Sequence, residues 1–209
     1  MDIVLEKLMN HYPDLKENVP EIAEACKSII QCYDCGGKLL LCGNGGSASD
    51  CEHIVGELLK GFTLERRLPE KVRRELVKQG ADETFADYLQ GALPAISLVN
   101  QPAFSTAFLN DVNPQFAFAQ QVYGLGRKGD ILLGISTSGN SVNVINAAIV
   151  AKQKKMKVIG LTGRSGGRLQ RFCDIAIKVP AEETYRVQEY HLPVYHALCE
   201  MIECHFWVV

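Results

Sequence analysis

Two loops rich in glycine and hydroxyl side chains have the composition of phosphate-binding loops. The first covers residues 43–50 (GNGGSASD) and the second residues 136–141 (STSGNS), and a helical pattern follows each loop. Glycines let the backbone approach an anion, and the free N–H groups at a helix start favour negative charge. Four hydroxyls without a cation in the second loop suit a phosphate monoester better than a nucleoside triphosphate with magnesium. Neither loop has the P-loop or dinucleotide-binding spacing. The alternative is that these residues only cap helices and form turns.

Titratable side chains at helical spacing could carry out proton transfer. His53 and Glu57 lie four residues apart and therefore share one helix face, and Gln188, His191 and His196 lie in a second helical segment near the carboxyl end. A glutamate and a histidine together can move a carbon-bound proton and hydroxyl protons, as a sugar isomerase requires. The same pair could hold a divalent metal if another element supplies the remaining ligands. Taken singly, each histidine is better explained as a hydrogen-bonded core or surface residue than as a functional group.

The elements that must position these residues alternate between short apolar runs and helices. The runs cover residues 38–42, 95–99, 130–135, 156–161 and 174–179, and the clearest helix covers residues 141–155. This alternation predicts an α/β three-layer sandwich with a five-stranded parallel sheet. Residues 1–35 have helical spacing, interrupted at Pro13 and Pro20, and form an N-terminal helical segment of a single domain over residues 1–209. In open sheets of this kind the ligand lies beyond the carboxyl ends of the strands.

Composition excludes several classes of protein. The 209 residues include 22 Lys and Arg against 24 Asp and Glu, so the net charge of −2 argues against a nucleic-acid-binding protein. No stretch approaches the roughly 20 apolar residues of a membrane span, and the amino terminus lacks the features of a secretory signal. We therefore expect a cytoplasmic protein whose eight cysteines are free thiols.

Four segments together resemble the sedoheptulose-7-phosphate isomerases, or phosphoheptose isomerases, which have the flavodoxin-like sugar-isomerase (SIS) fold. They are LLCGNGGSASDCEHIVGELLKGF, the pair Asn110-Asp111, GDILLGISTSGNSVNVINAAIVAKQKKMKVIGLTG and RVQEYHLPVYHALCEMIE. The ISTSGNS motif alone would indicate only a SIS domain. The combination of CGNGGS with His53, Glu57, Gln188 and His196 is far more specific to this family.

The resemblance implies a role for each matching residue. Glu57 would be the catalytic base and His196 the acid–base histidine. Residues that would bind the sugar phosphate are Asn44, Gly45, Gly46, Glu57, Asn110, Asp111, Ser136, Thr137, Ser138, Ser141 and Gln188, with the four hydroxyl residues holding the phosphate. Positions that bind zinc in some members match His53, Glu57, Gln188 and His196. The family is typically a homotetramer whose active sites are shared between subunits.

The sequence departs from the family pattern in three places. Residues 62–93 are longer than the corresponding link and are charge-rich with helical spacing, as in a lid, an interface extension or a solvated surface helix. Lys60-Gly61 stands where an arginine is frequent, and Tyr185 stands where an acidic residue is frequent. None of these changes affects the phosphate loop or the Glu57 and His196 pair.

The sequence therefore predicts an aldose–ketose isomerase that converts sedoheptulose 7-phosphate through an enediolate to a D-glycero-D-manno-heptose 7-phosphate for nucleotide-activated heptose synthesis. A non-catalytic SIS adaptor, such as a protein that binds the replication initiator, would lack the catalytic pair, whereas Glu57 and His196 are both present. A sugar-phosphate sensor without turnover stays open.

Overall fold

A computed structural model describes residues 2–82 and 84–208. The five strands are β1 Leu39–Cys42, β2 Ala95–Ser97, β3 Ile131–Ser136, β4 Lys157–Thr162 and β5 Ile175–Lys178. The α-helices are α1 Asp2–His11, α2 Val19–Asp34, α3 Gly46–Leu59, α4 Glu70–Lys78, α5 Phe85–Tyr88, α6 Pro102–Asp111, α7 Ala117–Leu125, α8 Val142–Gln153 and α9 Thr184–Trp207.

The strands form one parallel sheet in the order β2-β1-β3-β4-β5. Leu40 of β1 pairs with Ile96 of β2 on one side and with Leu132 of β3 on the other. The chain leaves β1 in one direction along the sheet and continues from β3 in the other direction. The carboxyl ends of β1 and β3 therefore border the topological switch point, where doubly wound sheets bind their ligands.

The sheet is covered on both faces because successive strand residues point to opposite sides. Leu39 and Leu41 belong to a core cluster that also contains residues of α1, α2, α3 and α9. Leu40 and Cys42 belong to a second cluster with residues of α7 and α8. These two cores give three layers, which confirms the α/β sandwich with a five-stranded parallel sheet and an N-terminal helical segment.

Proline acts differently at three positions in the helices. A 3-10 helix, Pro13–Asn18, separates α1 from α2, as the prediction of two helices requires. Pro20 lies in the first turn of α2, where the missing N–H has no intrahelical partner to lose. Pro193 lies inside α9, which continues without a break over 24 residues.

The segment 62–93 forms two short surface helices within its described part, residues 62–82 and 84–93. No residue of α4 is buried, and an antiparallel bridge joins Arg67 to Gln90. This arrangement agrees with the surface-helix alternative, and its status as an insertion relative to the family stays a prediction. None of the helices in the described residues is long and apolar enough to span a membrane. All eight cysteines are free thiols, as expected.

Candidate active site

The two predicted phosphate loops lie side by side at the carboxyl edge of the sheet. Asn44, two residues after β1, donates from Nδ2 to Asn143 Oδ1 at 3.0 Å, and Asn143 Nδ2 donates back to Asn44 Oδ1 at 2.8 Å. Asn143 Oδ1 also accepts from the Val144 amide at 3.0 Å. These reciprocal hydrogen bonds hold the first loop against the start of α8.

The second loop presents its hydroxyl groups around a tight turn. Ser136 is buried and its Oγ lies 3.0 Å from Ser141 Oγ, whereas Ser138 is exposed. Gly139 has a φ of +64°, and a Cβ there would lie 2.8 Å from the Gly167 nitrogen of the next loop. The turn therefore requires glycine, both for its left-handed backbone and for its close packing. Because α8 begins directly after Ser141, an anion here would meet its first N–H groups.

Gln188 of α9 packs directly on the first loop. A Cβ added at Gly46 would lie 2.9 Å from Gln188 Cδ and still closer to Nε2. Gly46 therefore leaves the space that the Gln188 amide occupies. This contact places Gln188 beside the loop that contains Asn44, Gly45 and Gly46, and their shared role in binding stays a prediction.

Glu57 lies in a separate cluster near the end of α3. Its Oε1 is 3.3 Å from His53 Nε2, and its Oε2 is 3.4 Å from Lys60 Nζ. His53 Nδ1 lies 3.0 Å from the hydroxyl of Tyr195 on α9. Glu57 is itself buried, so its carboxylate is held among a histidine, a lysine and the α9 wall.

His196 completes this cluster from α9. Its ring centroid lies 5.0 Å from that of His53 and 5.4 Å from that of Phe62. Burial lowers the pKa of His196, and the neighbouring His53 lowers it further, so the neutral imidazole is favoured. Its Nε2 is buried without a hydrogen-bond partner. A neutral imidazole with an open nitrogen can accept a proton from a bound hydroxyl group or donate one to it.

The two clusters lie at opposite edges of the sheet in one chain. The Leu93 amide donates to Leu58 O at 3.0 Å, and Leu93 lies two residues before the amino end of β2. Glu57 therefore lies towards the amino edge, whereas the phosphate loop lies at the carboxyl edge. The expectation that the chemistry sits at the carboxyl edge applies to the phosphate loop but not to Glu57.

Several predicted residues do not meet within the chain. Asn110 and Asp111 are exposed at the end of α6, and their side chains bond to each other, with Asn110 Nδ2 donating to Asp111 Oδ1 at 2.9 Å. Gln188 and His196 are eight residues apart on α9, or roughly 12 Å along its axis. In the described part of the chain, no group of three or more His, Cys, Asp or Glu is arranged to hold a metal ion.

Sequence reasoning missed three residues of these clusters. Asn143 joins the two loops, and its only signal is a polar residue in the first turn of a helix. Tyr195 contacts His53 and is almost fully buried, yet it reads in sequence as an ordinary core aromatic. Burial raises the pKa of the Asp50 carboxyl, against the opposing influence of Tyr195 and His53. Asp50 precedes His53 by about one helical turn, and this spacing could have indicated that the two side chains share a helix face.

Comparisons with known proteins identify the family of the chain. A family model of the SIS domain matches residues 7–88 and 84–163. The phosphoheptose isomerase of Helicobacter pylori strain P12 is 38% identical over 209 residues, covering 98% of this chain and 96% of that protein. The chain belongs to the phosphoheptose isomerase family.

Solved structures of phosphoheptose isomerases have the same fold. The protein from Francisella tularensis matches with a TM-score of 0.75 at 35% identity, covering 96% of each chain. The protein from Neisseria gonorrhoeae matches with a TM-score of 0.73 at 33% identity, covering 96% of this chain and 98% of that one. These similarities confirm the family predicted from the motifs, and membership of this isomerase family identifies the chain as an enzyme.

Proposed function

We propose that the protein converts sedoheptulose 7-phosphate to a D-glycero-D-manno-heptose 7-phosphate, as a step towards nucleotide-activated heptose in the cytoplasm. The observation that carries the proposal is the contact of the buried Glu57 carboxylate with His53, beside the open nitrogen of His196. A carboxylate and a neutral imidazole are the two groups that an aldose–ketose isomerisation needs. The separate phosphate loop supplies the anion site of the substrate.

The reaction requires one proton to move between two carbons. Glu57 would remove a proton from C1 of the open-chain ketose, and the resulting enediolate would take a proton back at C2. His196 would transfer the hydroxyl proton between the two oxygens, since its neutral ring carries both a donor and an acceptor nitrogen. Both groups act as proton carriers and are returned to their starting states at the end of the cycle.

Distances along the helices favour sites shared between subunits. Gly46 and Glu57 are 11 residues apart on α3, which corresponds to roughly 16 Å. An extended heptose phosphate measures roughly 10 Å from C1 to phosphorus, given C–C bonds of about 1.5 Å. A substrate held by the phosphate loop of one chain therefore reaches a Glu57 more readily on a second chain. We propose a homotetramer that pairs the two clusters across its interfaces.

An exposed apolar surface supports this association. Helix α6 has no buried residue, although it carries Phe104 and Phe108, whose rings lie 5.2 Å apart. Leu109 and Val112 are exposed at 48% and 66%. Large apolar surfaces of this kind commonly mark protein–protein contacts. Association through α6 would also carry the Asn110-Asp111 pair to a neighbouring site.

Mixing two inactive variants tests the sharing of sites. Glu57→Gln removes the base, and Ser138→Glu places a negative charge where the phosphate would bind. If sites are shared, co-refolded mixtures regain activity because some sites receive one intact half from each variant. Mixtures that stay as inactive as their components, in a protein confirmed as a tetramer by sedimentation, would argue for sites within single chains.

We propose zinc as a cofactor of the Glu57 cluster. The donor types of His53, Glu57 and His196 suit zinc and His196 Nε2 is unpartnered, but the described part of one chain does not by itself arrange three such donors around an ion. A zinc ion on Nε2 would take the nitrogen that carries the hydroxyl proton, so the metal site is an alternative to proton transfer by His196. We propose that Gln188 of a second copy supplies the fourth donor. When bound, zinc would polarise the substrate carbonyl. Metal analysis of protein purified without added metal tests this proposal: about one zinc per chain and activity lost on chelation support it, and full activity in metal-free protein refutes it.

The decisive experiment for the reaction is Glu57→Gln assayed on a panel of ketose phosphates by NMR. The amide keeps the side-chain shape but cannot accept a proton, so kcat should fall by about 10²- to 10⁴-fold. Glu52→Gln is the matched control, because Glu52 is exposed on the same helix. Near wild-type turnover by Glu57→Gln would remove Glu57 from the role of base. Binding of sugar phosphate without turnover by the wild type would instead indicate a sensor.

A further inference from the structure

A buried ion pair joins the two helices that carry the proton-transfer cluster. Arg66 Nε lies 2.7 Å from Glu203 Oε1, and both side chains are completely inaccessible to solvent. Arg66 follows the end of α3, and Glu203 lies on α9 two helical turns beyond His196. Charged side chains are almost never fully buried unless they are paired, so this contact has a structural purpose.

Arg66 also binds the end of α3 directly. Its Nη2 donates to Glu57 O at 2.7 Å and its Nη1 donates to Leu58 O at 2.8 Å. Carbonyls in the last turn of a helix lack intrahelical partners, and a cation there complements the helix dipole. The guanidinium thus supplies a hydrogen-bond donor to the backbone carbonyl of Glu57, the proposed catalytic base. Trp207 covers the group, with the guanidinium carbon 4.5 Å from the indole centroid.

Glu203 fixes the loop that brings Arg66 into place. Its Oε1 accepts from the Phe62 amide at 2.7 Å, and its Oε2 accepts from the Thr63 and Leu64 amides at 2.7 and 3.1 Å. Burial opposes ionisation of Glu203, but these hydrogen bonds and Arg66 outweigh it and lower its pKa. The carboxylate is therefore ionised and fully used, with no capacity left for a substrate.

We propose that Arg66 is a positioning residue that sets the distance between the Glu57 carboxylate and the His196 ring. Its three donors connect the Glu57 and Leu58 carbonyls on α3 to Glu203 on α9, so the pair sets the spacing of the two helices where the proton-transfer groups meet. This inference rests on the proposed isomerase reaction. Proton transfer is sensitive to such spacing, because a misplacement of about 1 Å can cost about 100-fold in rate.

The chain offers a matched control for this role. Lys38 Nζ lies 2.6 Å from Asp130 Oδ2, and the carboxylate of Asp130 also accepts from the amides of Lys38 and Arg127. This pair also joins a cation to a largely buried carboxylate that accepts backbone hydrogen bonds. However, Lys38 precedes β1 and Asp130 precedes β3, so the pair belongs to neither α3 nor α9. Arg66→Met and Lys38→Met thus both remove a cation from a comparable pair.

The experiment compares these variants at a temperature where circular dichroism shows each to be folded. Both methionine variants should lower Tm, but only Arg66→Met should lower kcat, by about 10- to 100-fold. The KM should change by less than about threefold, because the phosphate loop does not contact Arg66. Arg66→Lys retains the charge but not the planar fork, so it should give an intermediate kcat and remain testable if Arg66→Met does not fold.

Two results would overturn the inference. Wild-type kcat in Arg66→Met, or in Arg66→Lys if only that variant folds, would show a purely structural pair. If the wild type does not isomerise sedoheptulose 7-phosphate, the proposed function is wrong, but the positioning role of Arg66 can still be tested. Crystal structures of the variants then provide that test. A displacement of the Glu57 carboxylate from the His196 ring by more than about 0.5 Å in the Arg66 variant, but not in Lys38→Met, supports it. An unchanged separation overturns it.

Discussion

Gly46→Ala tests the contact between Gln188 and the first loop with one methyl group. The new Cβ would lie 2.9 Å from Gln188 Cδ, whereas ordinary carbon contacts are about 3.5–4.0 Å. The Gln188 amide must therefore move by roughly 1 Å. The backbone at Gly46 is not in the left-handed region, so alanine causes no dihedral strain. Because Gly46 begins α3, alanine should leave the free energy of unfolding unchanged or raise it by about 0.5–1 kcal/mol.

The expected loss of activity follows from one displaced polar contact. Such a contact contributes about 0.5–1.5 kcal/mol, which corresponds to a fall of about 2- to 12-fold in kcat/KM. The assay measures initial rates with sedoheptulose 7-phosphate, together with Tm for each variant. Unchanged kcat/KM in Gly46→Ala, with a crystal structure showing Gln188 displaced, would refute the assignment of Gln188 to the binding site.

Gly45→Ala is the companion variant with the opposite effect on stability. Gly45 has a φ of +55° and ψ of −124°, and a Cβ there would meet no atom within 4 Å. Alanine in such a backbone costs about 1–3 kcal/mol, and each kcal/mol lowers Tm by about 2–4 °C in a chain of this size. If Tm falls only in Gly45→Ala, the loss of stability comes from backbone strain at Gly45, and the displacement of Gln188 in Gly46→Ala does not cause it.

Two further predictions concern the phosphate loop and acid stability. Replacing Ser136 and Ser138 with alanine should raise KM about tenfold for each ~1.4 kcal/mol of lost contact while leaving kcat nearly unchanged, and inorganic phosphate should compete with substrate. Equal affinity for phosphorylated and unphosphorylated heptulose would contradict the anion site. Burial lowers the pKa of His191 to about 4, so the unfolded chain binds its proton first as the pH falls. The free energy of unfolding should therefore decrease between about pH 6.5 and 4, by up to about 3 kcal/mol, and His191→Leu should remove that part of the pH dependence in urea titrations. An unchanged slope in His191→Leu would show that other groups cause it.

Local patterns were sufficient to predict the sheet and the position of the 136–141 loop, whose binding of phosphate stays a prediction. Each strand is a short apolar run bounded by polar residues, and the 136–141 loop lies between such a run and a helix. Both signals involve neighbours in sequence, so they do not depend on knowing the tertiary structure. The helix predicted over 141–155 was observed as Val142–Gln153, with ends differing by one or two residues.

Residues paired over long sequence distances could not be predicted in this way. Arg66 stands in a charge-rich segment and reads as a solvated residue, yet it is buried because Glu203, 137 positions later, meets it. The pairing of Asn44 with Asn143, 99 positions apart, is invisible for the same reason. Pro193 would by local rules interrupt α9, but packing of buried neighbours such as Val194 and Tyr195 maintains the helix.

Because Asn44 and Asn143 donate hydrogen bonds to each other, substitutions at these two positions depend on one another. Each amide uses one donor and one acceptor on the other, so replacing Asn143 leaves both groups of the Asn44 amide without their partner, whereas replacing Asn44 leaves Asn143 Nδ2 without one and Oδ1 still bonded to the Val144 amide. Libraries that vary one position at a time would therefore recover few functional substitutions at either site. Productive alternatives should appear as pairs, with a double-mutant cycle showing a coupling free energy of about 0.5–3 kcal/mol. Redesign of this site for another sugar phosphate must therefore vary the loop after β1 and the first turn of α8 together.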